Sequence, residues 1–253
     1  MRTIVFELCA ESVEAGLAAR DGGAGRIELC SALSEGGLTP SHGLVSEVVE
    51  RSGLPVHVMV RPRGGDFVYS EEEFAVMRRD VGHLRSLGVA GLVFGLLHGD
   101  RRVDVNRTAE LVAMAGPLEV TFHRAFDHAD NLSDALEDVI RAGCRRVLTS
   151  GGESDVEVGA ASLALLVKQA AGRIDIAVGG GLRLTNAAAL ARATGARHFH
   201  GSLRRFVIEP GGEGSPLALR IGNEDQDPDP LMPAKSFVDS RDVRTMIQNL
   251  TIA

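Results

Sequence analysis

The chain has 253 residues, a formal net charge of −7 and 44% hydrophobic residues. This length suits one large domain with a sizeable apolar core. The acidic balance, the 4% aromatic content and the lack of Trp argue against a nucleic-acid-binding surface, which needs clustered cations and stacking rings. No apolar run has the length needed to cross a bilayer. We therefore expect neither a nucleic-acid nor a membrane partner, but a metal ion or a small anionic ligand.

Cysteine usage indicates the compartment. The three cysteines, Cys9, Cys30 and Cys144, are too few to form a disulfide framework in a chain of this length. The first apolar stretch carries Glu7, so it lacks the uninterrupted core of a signal peptide. We expect a reducing, cytoplasmic environment.

Short runs rich in Val, Ile, Leu and Phe alternate with segments of helical spacing along most of the chain. The runs predict eight strands at 3–8, 25–29, 56–60, 91–95, 118–122, 146–149, 174–178 and 197–200. The segments between them predict helices at 12–20, 41–51, 71–87, 105–115, 132–142, 156–171 and 185–193. Repeated βα units without a domain break predict an α/β fold, a single eight-stranded (β/α)8 barrel of the TIM type spanning residues 1–205.

The tail departs from this regularity. Residues 206–235 are rich in Gly, Pro and acids, and they predict a long loop that could act as a lid, an oligomer contact or a tether. Residues 236–253 predict a C-terminal helix that packs on the barrel. Ser236 with Asp239 three residues later suggests the start of that helix.

A short motif, an apolar residue followed by Glu-Leu-Cys, occurs twice near the start of the chain, as FELC at 6–9 and IELC at 27–30. Because side chains alternate along a strand, the acid and the thiol of each copy share one face. Parallel barrel strands normally read as near-continuous apolar runs, yet one face of most strands here is polar. This face predicts a polar barrel interior made of Glu7, Cys9, Glu28, Cys30, His57, Met59, Arg61, Glu119, Thr121, His123, Thr149, Asp175, His198 and His200. For the lower members, Glu119, Asp175 and His57, a buried ion-pair network is an equally good interpretation.

The loops after the strands add candidate anion-binding groups at the barrel mouth. The cationic candidates are Arg61, Arg63 and Arg124, and the small residues are Ser150, Gly180 and Ser202. Arg forks fit carboxylate and phosphate, and barrels often bind phosphate after strands seven and eight. The alternatives are that the arginines balance Glu7 and Glu28, and that the glycines serve only tight turns.

Five motifs occur in order along the chain: ELC at 28–30, EGGLTPS at 35–41, RPRGGDF at 61–67, TFHRAFD at 121–127 and LTSG at 148–151. Together they resemble the copper homeostasis protein CutC family. The resemblance implies a cytoplasmic (β/α) barrel, a homodimer or higher homo-oligomer, and a role in copper handling with Cu(I) bound through cysteine. It implies no established reaction. Cys9 and Cys30 match cysteine positions of that family, and the stretch after Ser202 departs from its pattern.

Metal chemistry agrees with this expectation. Cu(I) is soft and prefers thiolate and thioether ligands, so Cys9, Cys30 and Met59 are candidate copper ligands. The alternative is that these cysteines pack as small hydrophobic residues. Cys144 precedes the sixth strand on the opposite rim, and we expect it to be structural.

A competing hypothesis is an enzyme that acts on a phosphorylated or polyhydroxylated small molecule. Glu7, Glu28, His123 and His200 would then perform acid–base catalysis or hold a divalent metal, in an isomerisation or a hydrolysis. Schiff-base chemistry is disfavoured, because the two lysines lie in a predicted outer helix and in the tail. A binding or scaffolding module without turnover is a third possibility.

Overall fold

The computed structural model describes residues 3–208, 220–222 and 234–252. Its core is a closed barrel of eight parallel strands that are neighbours in chain order, as the alternating pattern predicts. The barrel strands are β1 (Val5–Ala10), β2 (Arg26–Leu29), β3 (Val56–Met59), β4 (Gly91–Phe94), β5 (Glu119–Phe122), β6 (Arg146–Thr149), β7 (Asp175–Gly179) and β8 (His198–Gly201).

A helix follows each of the first seven strands, as expected for a (β/α)8 barrel. These helices are α1 (Val13–Gly22), α2 (His42–Ser52), α3 (Glu71–Leu84), α4 (Val105–Ala115), α5 (Leu132–Arg141), α6 (Ala160–Ala170) and α7 (Ala187–Thr194). Their starts follow local capping chemistry. At α3, for example, the Ser70 side chain accepts from the Glu73 N–H and the Glu73 side chain accepts from the Ser70 N–H, which forms a capping box.

The chain leaves β8 through a small antiparallel sheet before the last helix. Strands β9 (Arg204–Ile208), β10 (Arg220–Gly222) and β11 (Ala234–Val238) pair in the order β10-β9-β11. Residues 209–219 and 223–233, which hold most of the predicted 206–235 loop, lie outside the described residues.

The final helix begins later than predicted. Residues 236–238 belong to β11, and α8 runs over Ser240–Thr251 with Asp239 as its N-cap. The side chain of Asp239 accepts from the Arg241 N–H at 2.9 Å, so this acid caps the helix itself instead of supporting a cap at Ser236. Helix α8 packs against α1 and α7 and takes the eighth helical position around the barrel.

Two apolar layers follow from the strand alternation. The larger one lies between barrel and helices and includes Phe6, Leu8, Ile27 and Leu29, all with 1% exposure or less. A separate, smaller cluster lies inside the barrel and consists of Cys9, Cys30, Met59 and Val93, with Leu33 against it. The predicted alternation therefore places the repeated acids and thiols inside the barrel.

Strand β6 is the exception to the predicted alternation. Its Arg146 pairs in register with Thr121 of β5 and Asp175 of β7, so Arg146 and Leu148 point inward. Thr149 has the opposite parity and was wrongly assigned to the interior. Its hydroxyl instead bonds to Asp127 in the loop after β5.

Candidate functional site

The lower barrel interior holds an ion-pair network in which Arg146 is buried, whereas its acids Glu119 and Asp175 reach solvent. The Arg146 guanidinium donates to the Glu119 carboxylate at 2.9 Å and to the Thr121 hydroxyl at 3.1 Å. His57 lies 3.8 Å from the Glu119 carboxylate. His198 lies 3.6 Å from the Asp175 carboxylate. Burial lowers the pKa of both histidines to about 4, which keeps them neutral at pH 7. These residues therefore form an ion-pair network inside the barrel and are not part of a site at the mouth.

Above this network, toward the mouth of the barrel, Glu7 lies between two cations. Glu7 pairs in register with Arg26 on one side and with His200 on the other. It accepts from the Arg26 Nε–H, and its Oε1 lies 2.8 Å from His200 Nδ1. Burial disfavours its charge, but Arg26 and His200 outweigh burial and hold the pKa of Glu7 well below its usual value. Glu7 is therefore neutralised inside the barrel and does not line the mouth cavity.

His200 connects Glu7 to the second acid. Its Nε2 lies 3.9 Å from Glu28 Oε1. Burial alone would lower the pKa of His200, but the Glu28 charge and hydrogen bonds with Cys9 and Glu7 raise the pKa well above its usual value. His200 is thus a cation between the two acids, and Arg26 and His200 together offset the charges of Glu7 and Glu28. Burial raises the pKa of Glu28 above its usual value.

The two thiols predicted as copper ligands lie side by side. Cys9 Sγ is 3.8 Å from Cys30 Sγ and 3.5 Å from Glu28 Oε1. The hydrogen bond with Cys30, together with burial, raises the pKa of Cys9 well above its usual value, so the free protein holds a thiol there. Met59 belongs to the same interior cluster as the two cysteines. Cys144 is buried elsewhere, and burial raises its pKa to about 12.

A second arrangement of donors overlaps the first. One ligand atom each from Cys9, Glu28 and His200 lies within 4.8 Å of the others. This set offers one sulfur, one oxygen and one nitrogen. It suits a borderline divalent ion better than Cu(I), which prefers sulfur.

All of these donors lie below a cavity at the barrel mouth of about 1150 Å³. Cys9, Glu28, Met59 and His200 line its floor, whereas Cys30 lies behind them and does not reach it. Among the described residues of the lining, five are arginines and three are acids. Four of these arginines, Arg101, Arg124, Arg183 and Arg204, form ion pairs with acids beside the cavity. Arg61 is the lining arginine without a carboxylate partner among the described residues.

The predicted anion-binding arginines differ in position. Arg61 is buried and lines the cavity, where its guanidinium donates to the carbonyls of Glu35, Gly37 and Gly65 at 2.6, 3.2 and 2.8 Å. Arg63 turns away from the cavity and pairs with Glu73 at 2.6 Å. Arg63 therefore orders the loop before α3 rather than the mouth.

Arg124 and the small residues occupy the other side of the mouth. Arg124 lines the cavity, pairs with Asp127 at 2.8 Å and donates to the Ser150 hydroxyl at 2.9 Å. Ser150 is fully buried in that network and does not line the cavity. Gly180 and Ser202 do line it, and Gly180 has a positive φ of 103°, where a Cβ would lie 2.9 Å from the Arg124 guanidinium carbon.

His123 is a neutral donor in the cavity wall. Its Nδ1 accepts from the Ala125 N–H at 3.1 Å, so the ring proton resides on Nε2. Burial, with a contribution from Arg61, lowers the pKa of His123 to about 3. The Nε2 atom is buried and has no partner in the described part of the chain.

Sequence reasoning missed Arg26 and Arg146, the two buried arginines that neutralise the interior acids. Their strand parity, the same as that of Glu28 and Leu148, was the signal that could have identified them. It also missed the glycines that make room for interior histidines. A Cβ at Gly95 would lie 2.6 Å from the His123 ring, and one at Gly91 would lie 2.6 Å from the His57 ring.

Within the described ranges, no helix combines the length and apolar character needed to cross a membrane.

A family model and the similar proteins with known names point to the same family. The model of the CutC family matches residues 4–205. A CutC family protein from Chromobacterium violaceum is 51% identical over 203 residues, which cover 80% of this chain and 82% of that protein. One from Xylella fastidiosa strain 9a5c is 50% identical over 202 residues, which cover 80% of this chain and 76% of that protein.

Solved structures agree. A Streptococcus agalactiae protein provisionally named copper homeostasis protein CutC matches with a TM-score of 0.75 and 31% identity, over 79% of this chain and 99% of that chain. An N-(5'-phosphoribosyl)anthranilate isomerase from Pyrococcus furiosus, at 12% identity and a TM-score of 0.56, matches 99% of this chain and 100% of its own, and shares the barrel fold alone. Motifs, fold and relatives together show that this chain belongs to the CutC family.

Proposed function

We propose that this chain takes part in copper homeostasis by binding Cu(I) as cargo through the thiolates of Cys9 and Cys30, with the Met59 thioether as a third ligand. The observation that carries this proposal is the Sγ–Sγ distance of 3.8 Å. Two sulfurs bound at about 2.3 Å to one metal ion lie at most about 4.6 Å apart, so this pair needs little movement to share an ion.

The chemistry of the donors supports Cu(I) over a harder ion. Thiolate and thioether ligands select Cu(I), and the interior cluster brings both kinds together. The alternative set of Cys9, Glu28 and His200 would have to compete with the pairing of His200 to Glu7. The sulfur set disturbs no ion pair of the described interior.

Metal loading is expected to release protons. The hydrogen bond with Cys30 and burial raise the pKa of Cys9, so a bound cation must displace the thiol proton. Apparent Cu(I) affinity should therefore increase with pH. The route to the site is the mouth cavity, because Cys9 and Met59 line it and Cys30 lies behind them.

Anaerobic competition of Cu(I) against a chromophoric chelator tests the proposal. We expect one equivalent of Cu(I), and an affinity at least about a hundredfold weaker in Cys9→Ser and in Cys30→Ser. Cys144→Ser is the matched control, since Cys144 is equally buried but lies outside the thiol cluster. An affinity unchanged in both test variants would refute the proposal.

We further propose a cytoplasmic location and a homo-oligomeric assembly. Cys9 and Cys30 are adjacent but are not joined by a disulfide, which agrees with a reducing compartment. Fractionation of cells and light scattering of the purified protein test the two proposals. Recovery in an oxidising compartment, or a strictly monomeric mass, would contradict them.

A further inference from the structure

The mouth cavity is much larger than a copper ion requires. Its volume of about 1150 Å³ lies just above the usual range for small-molecule sites, about 300–1,000 Å³. Cys9 and Met59 of the sulfur cluster cover only part of its floor. Five arginines and His123 are among the residues that line the rest of the cavity. Most of the cavity is therefore left without a function by copper binding.

Three polar atoms in residues that line this cavity have no hydrogen-bond partner among the described residues. They are Arg61 Nε, His123 Nε2 and Glu28 Oε2, and all three side chains are more than nine-tenths buried. Buried polar groups are normally paired, and leaving them unpaired destabilises the folded state. Two donors and one acceptor in residues of the cavity wall are therefore left without a partner among the described residues.

The two donors are positioned by one aromatic ring. Phe67 lines the cavity, with the Arg61 guanidinium 4.9 Å and the His123 ring 5.1 Å from its ring centre. Three loop carbonyls fix the other nitrogens of Arg61, and within residues 3–208, 220–222 and 234–252 no carboxylate forms an ion pair with it. Its charge is therefore fixed in place and available to an anion.

His123 adds a donor that stays neutral. The Ala125 N–H occupies Nδ1 and so fixes the tautomer with the proton on Nε2. Glu28 supplies the complementary acceptor, because its Oε1 faces Cys9 and its Oε2 is unpartnered. This combination recognises a molecule that carries both an anionic oxygen and a hydroxyl group.

We propose that the mouth cavity binds a small hydroxylated organic anion, whose carboxylate or phosphate oxygens accept from Arg61 Nε and His123 Nε2 and whose hydroxyl group donates to Glu28. This site uses none of the three sulfur ligands. Its acceptor Glu28 contacts one of them, since Cys9 Sγ donates to Glu28 Oε1 at 3.5 Å. The anion is titrated without copper, so either proposal can fail without the other.

Calorimetric titration of the full chain, with a Cu(I) chelator present, tests this site. The probes are glycerate and glycerol 3-phosphate, which carry hydroxyl groups with a carboxylate or a phosphate, and acetate and inorganic phosphate, which carry the anion alone. We expect at least one hydroxylated probe to bind with a Kd below about 1 mM and about tenfold tighter than its simple anion. Whichever of glycerate and glycerol 3-phosphate binds more tightly shows whether the site prefers a carboxylate or a phosphate.

Matched variants locate the binding. His123→Phe keeps the aromatic volume but removes the donor, and Arg61→Lys keeps the charge but removes Nε, so each should weaken binding about tenfold or more. Cys30→Ser should leave the affinity for the probe unchanged while it weakens Cu(I), because Cys30 does not line the cavity.

Nitrogen-15 NMR of histidine-labelled wild-type protein covers the case in which a variant does not fold. The Nε2 resonance of His123 should move when the hydroxylated probe is added. The proposal is overturned if no hydroxylated probe binds with a Kd below about 1 mM, if the simple anions bind as tightly as the hydroxylated ones, or if the His123 Nε2 resonance does not respond.

Discussion

Replacing Arg26 by Met should destabilise the protein strongly, because it leaves a buried carboxylate short of one cation. The Arg26 and Glu7 side chains are only 6% and 1% exposed. Without the guanidinium, Glu7 keeps a single cationic partner, His200, at 2.8 Å. Removing one partner of a buried ion pair costs about 3–5 kcal/mol. That is a large part of a typical unfolding free energy of about 5–15 kcal/mol.

Two controls show whether the cost comes from the uncompensated charge. The double variant Glu7→Leu/Arg26→Met removes both charges, and it should recover most of the loss, since apolar residues often replace a buried pair without net cost. Arg51→Met breaks a surface pair with Glu47, whose side chains are 52% and 55% exposed. This surface change should cost less than about 1 kcal/mol.

Urea unfolding at pH 7, followed by circular dichroism, measures all three free energies. The expected order of destabilisation is Arg26→Met first, then the double variant, with Arg51→Met close to wild type. If Arg26→Met costs no more than Arg51→Met, or if the double variant is less stable than the single one, the uncompensated charge of Glu7 is not the cause of the destabilisation.

Three further predictions use the same unfolding assay. Because burial lowers the pKa of His57 to about 4, wild type should lose stability relative to His57→Gln as pH falls from 6.5 to 4, by up to about 1.4 kcal/mol per pH unit; parallel pH profiles would contradict this. Gly91→Ala should cost about 1–3 kcal/mol, because its Cβ would lie 2.6 Å from the His57 ring and 2.7 Å from the Glu119 carbonyl oxygen. Gly43→Ala, which meets nothing within 4 Å in α2, should be neutral or stabilising, and equal costs at both glycines would be inconsistent with the packing. Ser70→Ala should cost about 1 kcal/mol through loss of the α3 capping box, and an unchanged midpoint would contradict that role.

The barrel could be predicted from sequence because each βα unit carries its own periodicity. The last helix could not be placed by the same means. Ser236 and Asp239 are both residues that cap helices, so local pattern allowed either as the start. Antiparallel pairing of β11 with β9 decides between them, since it places Ser236 in a strand opposite Phe206. That pairing joins segments far apart in sequence, and no local signal reports it.

The barrel interior could be predicted in outline but not in its charge balance. Alternation along β1 and β2 placed the repeated acids and thiols on one face, and the structure has Cys9 beside Cys30 at 3.8 Å. The partner of Glu7 was sought among the mouth arginines, whereas it is Arg26 on the neighbouring strand. Register between parallel strands sets that pairing, and a single strand's sequence does not specify register.

X-ray absorption spectroscopy of the protein loaded anaerobically with one equivalent of Cu(I) identifies the atoms that bind the ion. We expect two or three sulfur neighbours at about 2.3 Å and no nitrogen or oxygen bound to the ion. The corresponding ligands are the Cys9 and Cys30 thiolates, 3.8 Å apart in the structure, with Met59 beside them. A shell with a single sulfur together with nitrogen and oxygen would contradict this expectation and would assign the ion to Cys9, Glu28 and His200 instead.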